Sequence, residues 1–83
     1  MVEAYILLKI SREVYVKGVV NELRNIENVE DAEMLFGDYD AIVKVKGEKI
    51  HDIENLVVEK ISRINGVSST MTMICVDEKI IKE

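Results

Sequence analysis

The chain has 83 residues, 48% of them hydrophobic and 33% charged, which suits one small domain and leaves no room for a second. Eleven Lys and Arg stand against 16 Asp and Glu, a net charge of −5, and this field disfavours nucleic-acid binding because it repels phosphates. The one cysteine, Cys75, excludes an intrachain disulfide and disfavours a zinc site. Small domains that lack disulfides and structural metal ions are often stabilised by self-association, so we expect a homo-oligomer.

No apolar stretch approaches the length of about 20 residues that crosses a bilayer, and an unpaired thiol suits a reducing compartment. The apolar start is interrupted by Glu3 and Lys9 and has no cleavage signal, so it is typical of a strand and not of a signal peptide. We therefore expect a cytoplasmic protein with no membrane partner and no cofactor.

The first half of the chain predicts a strand, a helix and a hairpin. From Val2 to Ile10 every even position is apolar, which indicates a strand with one buried face. Ser11 is the expected N-cap of a helix whose apolar stripe is Tyr15, Val16, Val19, Val20 and Leu23. Val29 to Phe36 has two half-polar faces, which favours an edge strand. The turn-forming residues 37–40 then lead into a strand over 41–46 with Ala41, Val43 and Val45 on one face.

The second half predicts a helix and a last strand. The helix opens after Gly47, with Glu48 near its positive end, and is stopped by Asn65-Gly66. Its apolar stripe is Ile50, Ile53, Leu56, Val57, Ile61 and Ile64. The strand from Val67 to Val76 is expected to turn Met71, Met73 and Cys75 inward and Thr70, Thr72, Ile74 and Val76 outward.

The resulting order is β-α-β-β-α-β, and the two halves echo each other. Right-handed crossovers place strands 1 and 3 centrally in a four-stranded antiparallel sheet of order 4-1-3-2, with both helices on one face. The expected fold is an α+β ferredoxin-like sandwich made of one domain, residues 1–83.

Two helices cannot cover both faces of this sheet. The uncovered face is expected to carry Tyr5, Leu7, Ile42, Ile74 and Val76, and a contiguous apolar patch usually marks an interface. We therefore expect dimerisation of sheet against sheet through these five residues. The alternative is a monomer whose patch is diluted by Thr and Lys.

Several functions of this fold are disfavoured by the residues present. A copper chaperone or ferredoxin needs several thiolates, whereas Cys75 is expected to be a small core residue, so no metal site is predicted. RNA recognition needs stacking aromatics and a positive surface. His51, the one histidine, is a candidate general base for a small barrel-type enzyme, although a solvated helix residue is the ordinary interpretation.

The hairpin Gly37-Asp38-Tyr39-Asp40 is the best candidate binding site. A glycine lets a ligand approach the backbone, whose N–H groups suit a carboxylate, while Asp38 and Asp40 can accept from an ammonium. Tyr39 supplies a wall. These groups complement the zwitterion of a free amino acid, although the same residues also make an ordinary turn.

Two segments carry a resemblance to a known family. The hairpin LFGDYDAIVKV, residues 35–45, and the segment INGVSSTMT, residues 64–72, resemble the glycine-aromatic-aspartate hairpin and the Gly-Val and Thr-x-Thr motif of the effector-binding (RAM) domain of Lrp/AsnC leucine-responsive regulators. The motifs lie at the expected places, and the resemblance covers nearly the whole chain.

The resemblance implies a barrel-like dimer that assembles into octamer-type or decamer-type rings and binds an amino acid where dimers meet. Gly37, Tyr39 and Asp40 match the effector hairpin, Thr70 and Thr72 match the last-strand motif, and Asp38 and Ser69 flank them. Phe36 departs from the family, which often has a small hydroxyl residue there.

A further departure is the missing helix-turn-helix, because the first predicted strand begins at once. The expected function is therefore a stand-alone, non-enzymatic effector module that affects transcription indirectly, through mixed assembly with full-length Lrp/AsnC regulators. A purely structural module with a vestigial pocket and a small enzyme using His51 are the alternatives.

Overall fold

The computed structural model describes residues 1–76, and residues 77–83 lie outside the described part. The elements follow the predicted order: β1 (Val2–Ile10), α1 (Val16–Arg24), β2 (Val29–Met34), β3 (Ala41–Gly47), α2 (Ile50–Leu56), a π-helical segment (Val57–Ile61) and β4 (Val67–Ile74). The strands form one antiparallel sheet of order β2-β3-β1-β4. This is the predicted 4-1-3-2 order, so the ferredoxin-like topology is confirmed.

One face of the sheet forms the core together with both helices. Along β1 the even residues Ala4, Ile6 and Leu8 have no exposed surface, because alternate side chains of a strand point to the same face. They share a single apolar cluster with Leu23 of α1 and Ile53 of α2. Both helices therefore cover this face, which we call the covered face, and leave the other, the open face, without a helix.

Rows of directly paired residues run across the open face. One row is Glu33, Ile42, Leu7 and Met71, and the next is Asp31, Lys44, Tyr5 and Met73. Beyond them, the Cys75 N–H donates to the Glu3 carbonyl at 2.9 Å, which continues the β1–β4 register by one residue after the end of β4. The apolar part of the open face therefore lies over β1 and β4.

The predicted faces of β4 are wrong. Ile74 pairs with Ala4, and Thr72 and Thr70 pair with Ile6 and Leu8, so these three lie on the covered side. Val76 follows the end of β4 and is exposed. Cys75, expected in the core, is exposed, and the methionines expected inside, Met71 and Met73, lie on the open face and are 46% and 41% exposed.

The physical reason is that strand alternation separates two sets of residues without saying which set faces the helices. Only the pairing with β1 decides, and that pairing contains a bulge at Lys9/Ile10. In addition, the covered side of β4 is only partly buried: Val67 packs against the core and Thr70 is half-buried, but Thr72 is exposed and Ile74 is 37% exposed. Burial therefore distinguishes the two faces of β4 only weakly.

The first helix begins later than predicted. Tyr15, and not Ser11, occupies the N-cap position. The Ser11 hydroxyl accepts from the Glu13 N–H at 3.2 Å, and the Val14 N–H donates to the Ser11 carbonyl at 3.3 Å, so Ser11 stabilises a turn ahead of the helix. Tyr15 precedes the helix and is 88% exposed instead of joining the buried stripe.

The second helix is shorter and less regular than predicted. It begins at Ile50, which is half exposed, and Asp52 caps it by accepting from the N–H groups of Glu48 and Lys49 at 3.2 and 3.0 Å. From Val57 it continues as a π-helical segment and ends at Ile61, before the predicted stop. Gly66, at a φ of 100°, lies in the turn that precedes β4.

Candidate functional site

The hairpin between β2 and β3 is the candidate site, and β1 holds it in place. Strand β2 ends at Met34, short of the predicted Phe36, and the Leu35 N–H donates to the Asp40 carbonyl at 2.9 Å to close the loop. Phe36 at the tip is fully exposed. The loop therefore projects from the sheet on a rigid base.

Asp40 forms that base. Its N–H donates to the Leu8 carbonyl at 2.8 Å, and its Oδ2 accepts from the Ile10 N–H at 2.7 Å. The Ile10 N–H points to the β3 side of β1, as the Leu8 carbonyl does, and lies beyond the last β1–β3 pair, Leu8 with Ala41. The carboxylate therefore satisfies a backbone donor for which β3 offers no partner. The Oδ2 atom of Asp40 thus stabilises the fold, and its Oδ1 atom remains able to accept a hydrogen bond from another donor.

Tyr39 turns back from the hairpin towards β1 and β4. Its hydroxyl donates to Met71 Sδ at 3.7 Å, and the Lys9 Nζ lies 5.5 Å from the centroid of its ring. A cation over an aromatic face is attracted to it. Tyr39 therefore connects the loop to one edge of the open face.

Gly37 and Asp38 lie between these fixed points. No atom lies within 4 Å of the position that a Cβ on Gly37 would take, and the φ of Gly37 is not positive. Asp38 is exposed. The monomer itself therefore gives no steric or backbone reason for a glycine at position 37.

The predicted β4 residues separate onto two faces. Ser69 pairs with Lys9 and lies on the open-face side, whereas Thr70 and Thr72 lie on the covered side. Ser68, the extra residue of the bulge, donates its hydroxyl to the Lys9 carbonyl at 3.0 Å. Within one chain, Ser69 therefore shares a face with Lys9 and Met71, the two residues that contact Tyr39, and Thr70 and Thr72 lie on the opposite face.

Two neighbours of the site were not predicted, Lys9 and Met71. The alternation of β1 places Lys9 on the same face as Tyr5 and Leu7, so the sequence did contain a signal for its position. Met71 had no such signal, because its face depends on the register with β1.

Next to this region the open face carries one charge pair. Lys44 Nζ lies 3.7 Å from the Glu3 carboxylate and 5.8 Å from the centroid of the Tyr5 ring. The Glu3 charge, followed by the Tyr5 side chain, raises the pKa of Lys44 above its ordinary value. The lysine therefore stays charged on the open face, between Asp31 of β2 and Tyr5 of β1.

His51 lies exposed in the first turn of α2, and no hydrogen bond or ion pair within residues 1–76 involves its side chain. Among the same residues no group of three or more His, Cys, Asp or Glu is arranged to hold a metal ion. Neither helix of the described part is long and apolar enough to span a membrane.

Comparison with known families matches residues 3–82 to the Lrp/AsnC ligand-binding domain. The chain belongs to this family. The hypothetical protein PHS023 from Pyrococcus horikoshii is 32% identical, with a TM-score of 0.83 over 92% of this chain and 90% of that one. The regulator NMB0573 from Neisseria meningitidis, solved as an L-Met complex, shares the fold at 17% identity and a TM-score of 0.82, over 99% of this chain and 53% of that one.

A different kind of relative is an enzyme. The homocitrate synthase of Sulfurisphaera tokodaii is 37% identical over 71 residues, which are 86% of this chain and 15% of the enzyme. The chain therefore spans only a small part of that protein, and the likeness concerns one domain of a larger enzyme.

Proposed function

We propose that the chain is an amino-acid-binding and assembly module whose effector site lies at the hairpin, with Gly37, Asp38, Tyr39, Asp40 and Ser69 as its residues in this chain. The observation that carries the proposal is the hairpin geometry. A loop with unobstructed backbone at Gly37 is anchored through Asp40 and Tyr39 on the open face, so its N–H groups stay available to a carboxylate.

The chemistry of the site suits a zwitterion. The Gly37–Asp38 backbone and the ammonium of Lys9 favour a carboxylate, and the free carboxylate of Asp38 and the remaining oxygen of Asp40 favour an ammonium. The family is a ligand-binding one, and its member NMB0573 was solved with L-Met. Thr70 and Thr72 lie on the other side of β4. We therefore propose them only as residues of an effector site that belongs to a neighbouring copy.

Assembly is the second half of the proposal. We infer a homodimer that packs open face against open face through Tyr5, Leu7 and Ile42, with Met71 and Met73 in place of Ile74 and Val76. Leaving these side chains in water forgoes about 1.5–3 kcal/mol for each one that a partner would fully bury. Rings of such dimers then place hairpins of adjacent dimers together, with the exposed Phe36 at their contact.

A calorimetric titration of the whole chain with each of the twenty amino acids tests the binding. At least one is expected to bind, and Tyr39→Ala is expected to abolish the heat because it removes the wall of the site. Tyr15→Ala is the matched control, since Tyr15 is equally a tyrosine, is 88% exposed and lies outside the site. No heat from any amino acid, or unchanged binding by Tyr39→Ala, contradicts the proposal and leaves an assembly module alone.

The match to homocitrate synthase favours a second candidate for what the module acts on. In that protein the related segment belongs to an enzyme, so the output of this domain is not tied to DNA binding. The partner of this chain is then an enzyme whose activity the effector controls, and not a full-length Lrp/AsnC regulator.

Affinity purification of the tagged chain from its source cells, with and without the effector found by calorimetry, separates the two partners. Recovery of a regulator with a helix-turn-helix supports mixed assembly, and recovery of an enzyme supports the second candidate. Recovery of the chain alone contradicts both and leaves only the homo-oligomer.

A further inference from the structure

The sheet has two edge strands, and side chains close the outer edge of β2. The Leu35 N–H donates to the Asp40 carbonyl in β3's direction, and since this direction alternates along a strand, Ala32 turns its N–H and C=O away from β3. Asp31 Oδ1 accepts from that N–H at 2.8 Å, and Arg24 Nε donates to that carbonyl at 2.9 Å. A strand added to β2 would have to displace both side chains and approach the acidic residues of β2.

The outer edge of β4 is open and uncharged. The Cys75 N–H donates to a carbonyl of β1, so the N–H and C=O groups of Thr70, Thr72 and Ile74 point away from β1. Within residues 1–76 no hydrogen bond involves these outward groups, and β4 has no charged residue. Edge strands usually resist pairing with other chains through charge or a covering segment. In the described part of the chain, β4 is therefore the edge that can accept a further strand.

The strand that fits this edge is β4 of a second copy. Two chains that each carry a net charge of −5 repel each other, and an uncharged strip is where their backbones can approach. The β2 strand of a copy does not fit, because its outward groups already have partners. We propose that the β4 strands of two chains pair antiparallel about a twofold axis and join their two sheets into one.

The outward groups define the register of this pair. Thr72 is the middle one of the three outward residues, so an axis at Thr72 gives the largest overlap, with about six backbone hydrogen bonds. Thr70 then lies opposite Ile74 of the other copy, and the exposed side chains of Thr72 and Ile74 gain cross-strand neighbours. On the open face, Met71 lies opposite Met73 of the other copy. The apolar surface that we propose for dimerisation therefore continues across the joint.

The edge contact rests on the open-face dimer of the proposed function. A pair of strands without a buried face is marginal in water, so the β4 edges join chains that are already held in pairs through their open faces. The contact uses none of the hairpin residues 37–40. Amino-acid binding and edge pairing are therefore tested separately.

Cysteine cross-linking of the full chain, in a Cys75→Ser background, tests the register. Directly opposed residues of a hydrogen-bonded pair have Cα atoms about 5.5 Å apart, which a disulfide can bridge. Thr72→Cys is therefore expected to form a linked dimer on mild oxidation. Ile74→Cys is expected to link poorly with itself but well with Thr70→Cys in a mixture. No linkage of Thr72→Cys, or equally ready self-linkage of Ile74→Cys, overturns the proposal.

Sedimentation velocity tests the contact without a cross-link. Thr72→Lys places two ammonium groups opposite each other, at a side chain that is exposed within one chain. We expect the wild-type chain to sediment as a species larger than a dimer and Thr72→Lys as a dimer of twice 9.5 kDa. Thr72→Val, which keeps a β-branched side chain without charge, is the control and is expected to behave as the wild type.

The outcomes separate the edge contact from the proposed function. A wild-type chain that sediments as a dimer, or an unchanged mass for Thr72→Lys, overturns the edge contact alone. A monomeric wild-type chain contradicts the open-face dimer as well. If Thr72→Lys keeps its mass but loses a protein that co-purifies with the wild type, the edge takes a strand of that protein and not of a second copy, and the proposal is wrong.

Discussion

Leu7 and Leu8 are adjacent in β1, are chemically identical and lie on opposite faces of the sheet. Leu8 has no exposed surface and is surrounded by the core under both helices, whereas Leu7 is half-buried on the open face, between Ile42 and Met71. The covered face has all its partners within the chain. The open face has none above it, so one strand serves folding with its even residues and association with its odd ones.

Shortening each leucine side chain is the most direct test of this difference between the two faces. Leu8→Ala is expected to lower the free energy of unfolding by about 2–5 kcal/mol, because it leaves a cavity in the core, and to do so at every protein concentration. Urea unfolding at two concentrations far apart measures this.

Leu7→Ala is the matched control. It is expected to act mainly at the higher concentration, where the wild-type dimer is stabilised by mass action. Equal losses for the two variants at both concentrations contradict the division of β1 into a folding face and an association face.

Substitution of two glycines, Gly66 before β4 and Gly37 in the hairpin, compares the stability of the covered side with that of the hairpin. A Cβ on Gly66 would clash with Val14 Cγ2, and the φ of Gly66 is 100°, so Gly66→Ala is expected to cost at least about 1–2 kcal/mol from the backbone alone. Thermal unfolding measures this.

Gly37→Ala meets nothing within the chain, and we expect unchanged or slightly higher stability, because alanine restricts the unfolded chain. Its effect belongs to effector binding, which calorimetry is expected to show as weakened. Strong destabilisation by Gly37→Ala would mean that the monomer itself requires this glycine.

A charge on the open face tests association directly. Leu7→Glu is expected to convert the oligomer to a 9.5 kDa monomer, since a carboxylate would have to be desolvated in the interface. Sedimentation velocity measures the change. Val58→Glu, at a valine that is 60% exposed in the π-helical segment, is the control and is expected to leave the assembly intact; a wild-type chain that already sediments as a monomer contradicts the proposal.

The smallest expected effect concerns the charge pair on the open face. Because Glu3 raises the pKa of Lys44, Glu3→Gln is expected to lower it, and an NMR titration of the Lys44 side chain measures the shift. The stabilisation is fully present below the ordinary lysine value of 10.5 and is lost as pH rises through the higher folded value. An unchanged Lys44 titration in Glu3→Gln would show that the pair does not form in solution.

Much of the fold was predictable because its signals are local. The even positions of β1, the buried face of β3 and the apolar residues of both helices were all visible as periods of two or between three and four. The hairpin was visible from its turn residues. Errors fell where a local signal had competitors: Ser11 stabilises a turn instead of capping the helix, and the second helix ends as a π-helical segment before Asn65-Gly66.

The candidate site was predictable only in part. The residues of the hairpin stand together in the sequence, so Gly37, Asp38, Tyr39 and Asp40 could be proposed as site residues without the fold. Lys9 and Met71 approach Tyr39 from two other strands, and no short-range pattern connects them to it. The hydrogen bond from the Ile10 N–H to one Asp40 oxygen likewise depends on the pairing of distant segments, because it lies just past the end of the β1–β3 ladder.

What the sequence determined by itself was the element order, the inward set of the two central strands and the position of the turn, because each follows from the chemistry of neighbours in the chain. What only the tertiary structure decided was which side of β4 faces outward. An edge strand that packs against the core mainly through its first residue, Val67, is only weakly sorted by burial, and a single-residue bulge relative to β1 sets its direction. That decision placed Met71, Met73 and Cys75 on the surface and Ile74 on the covered side.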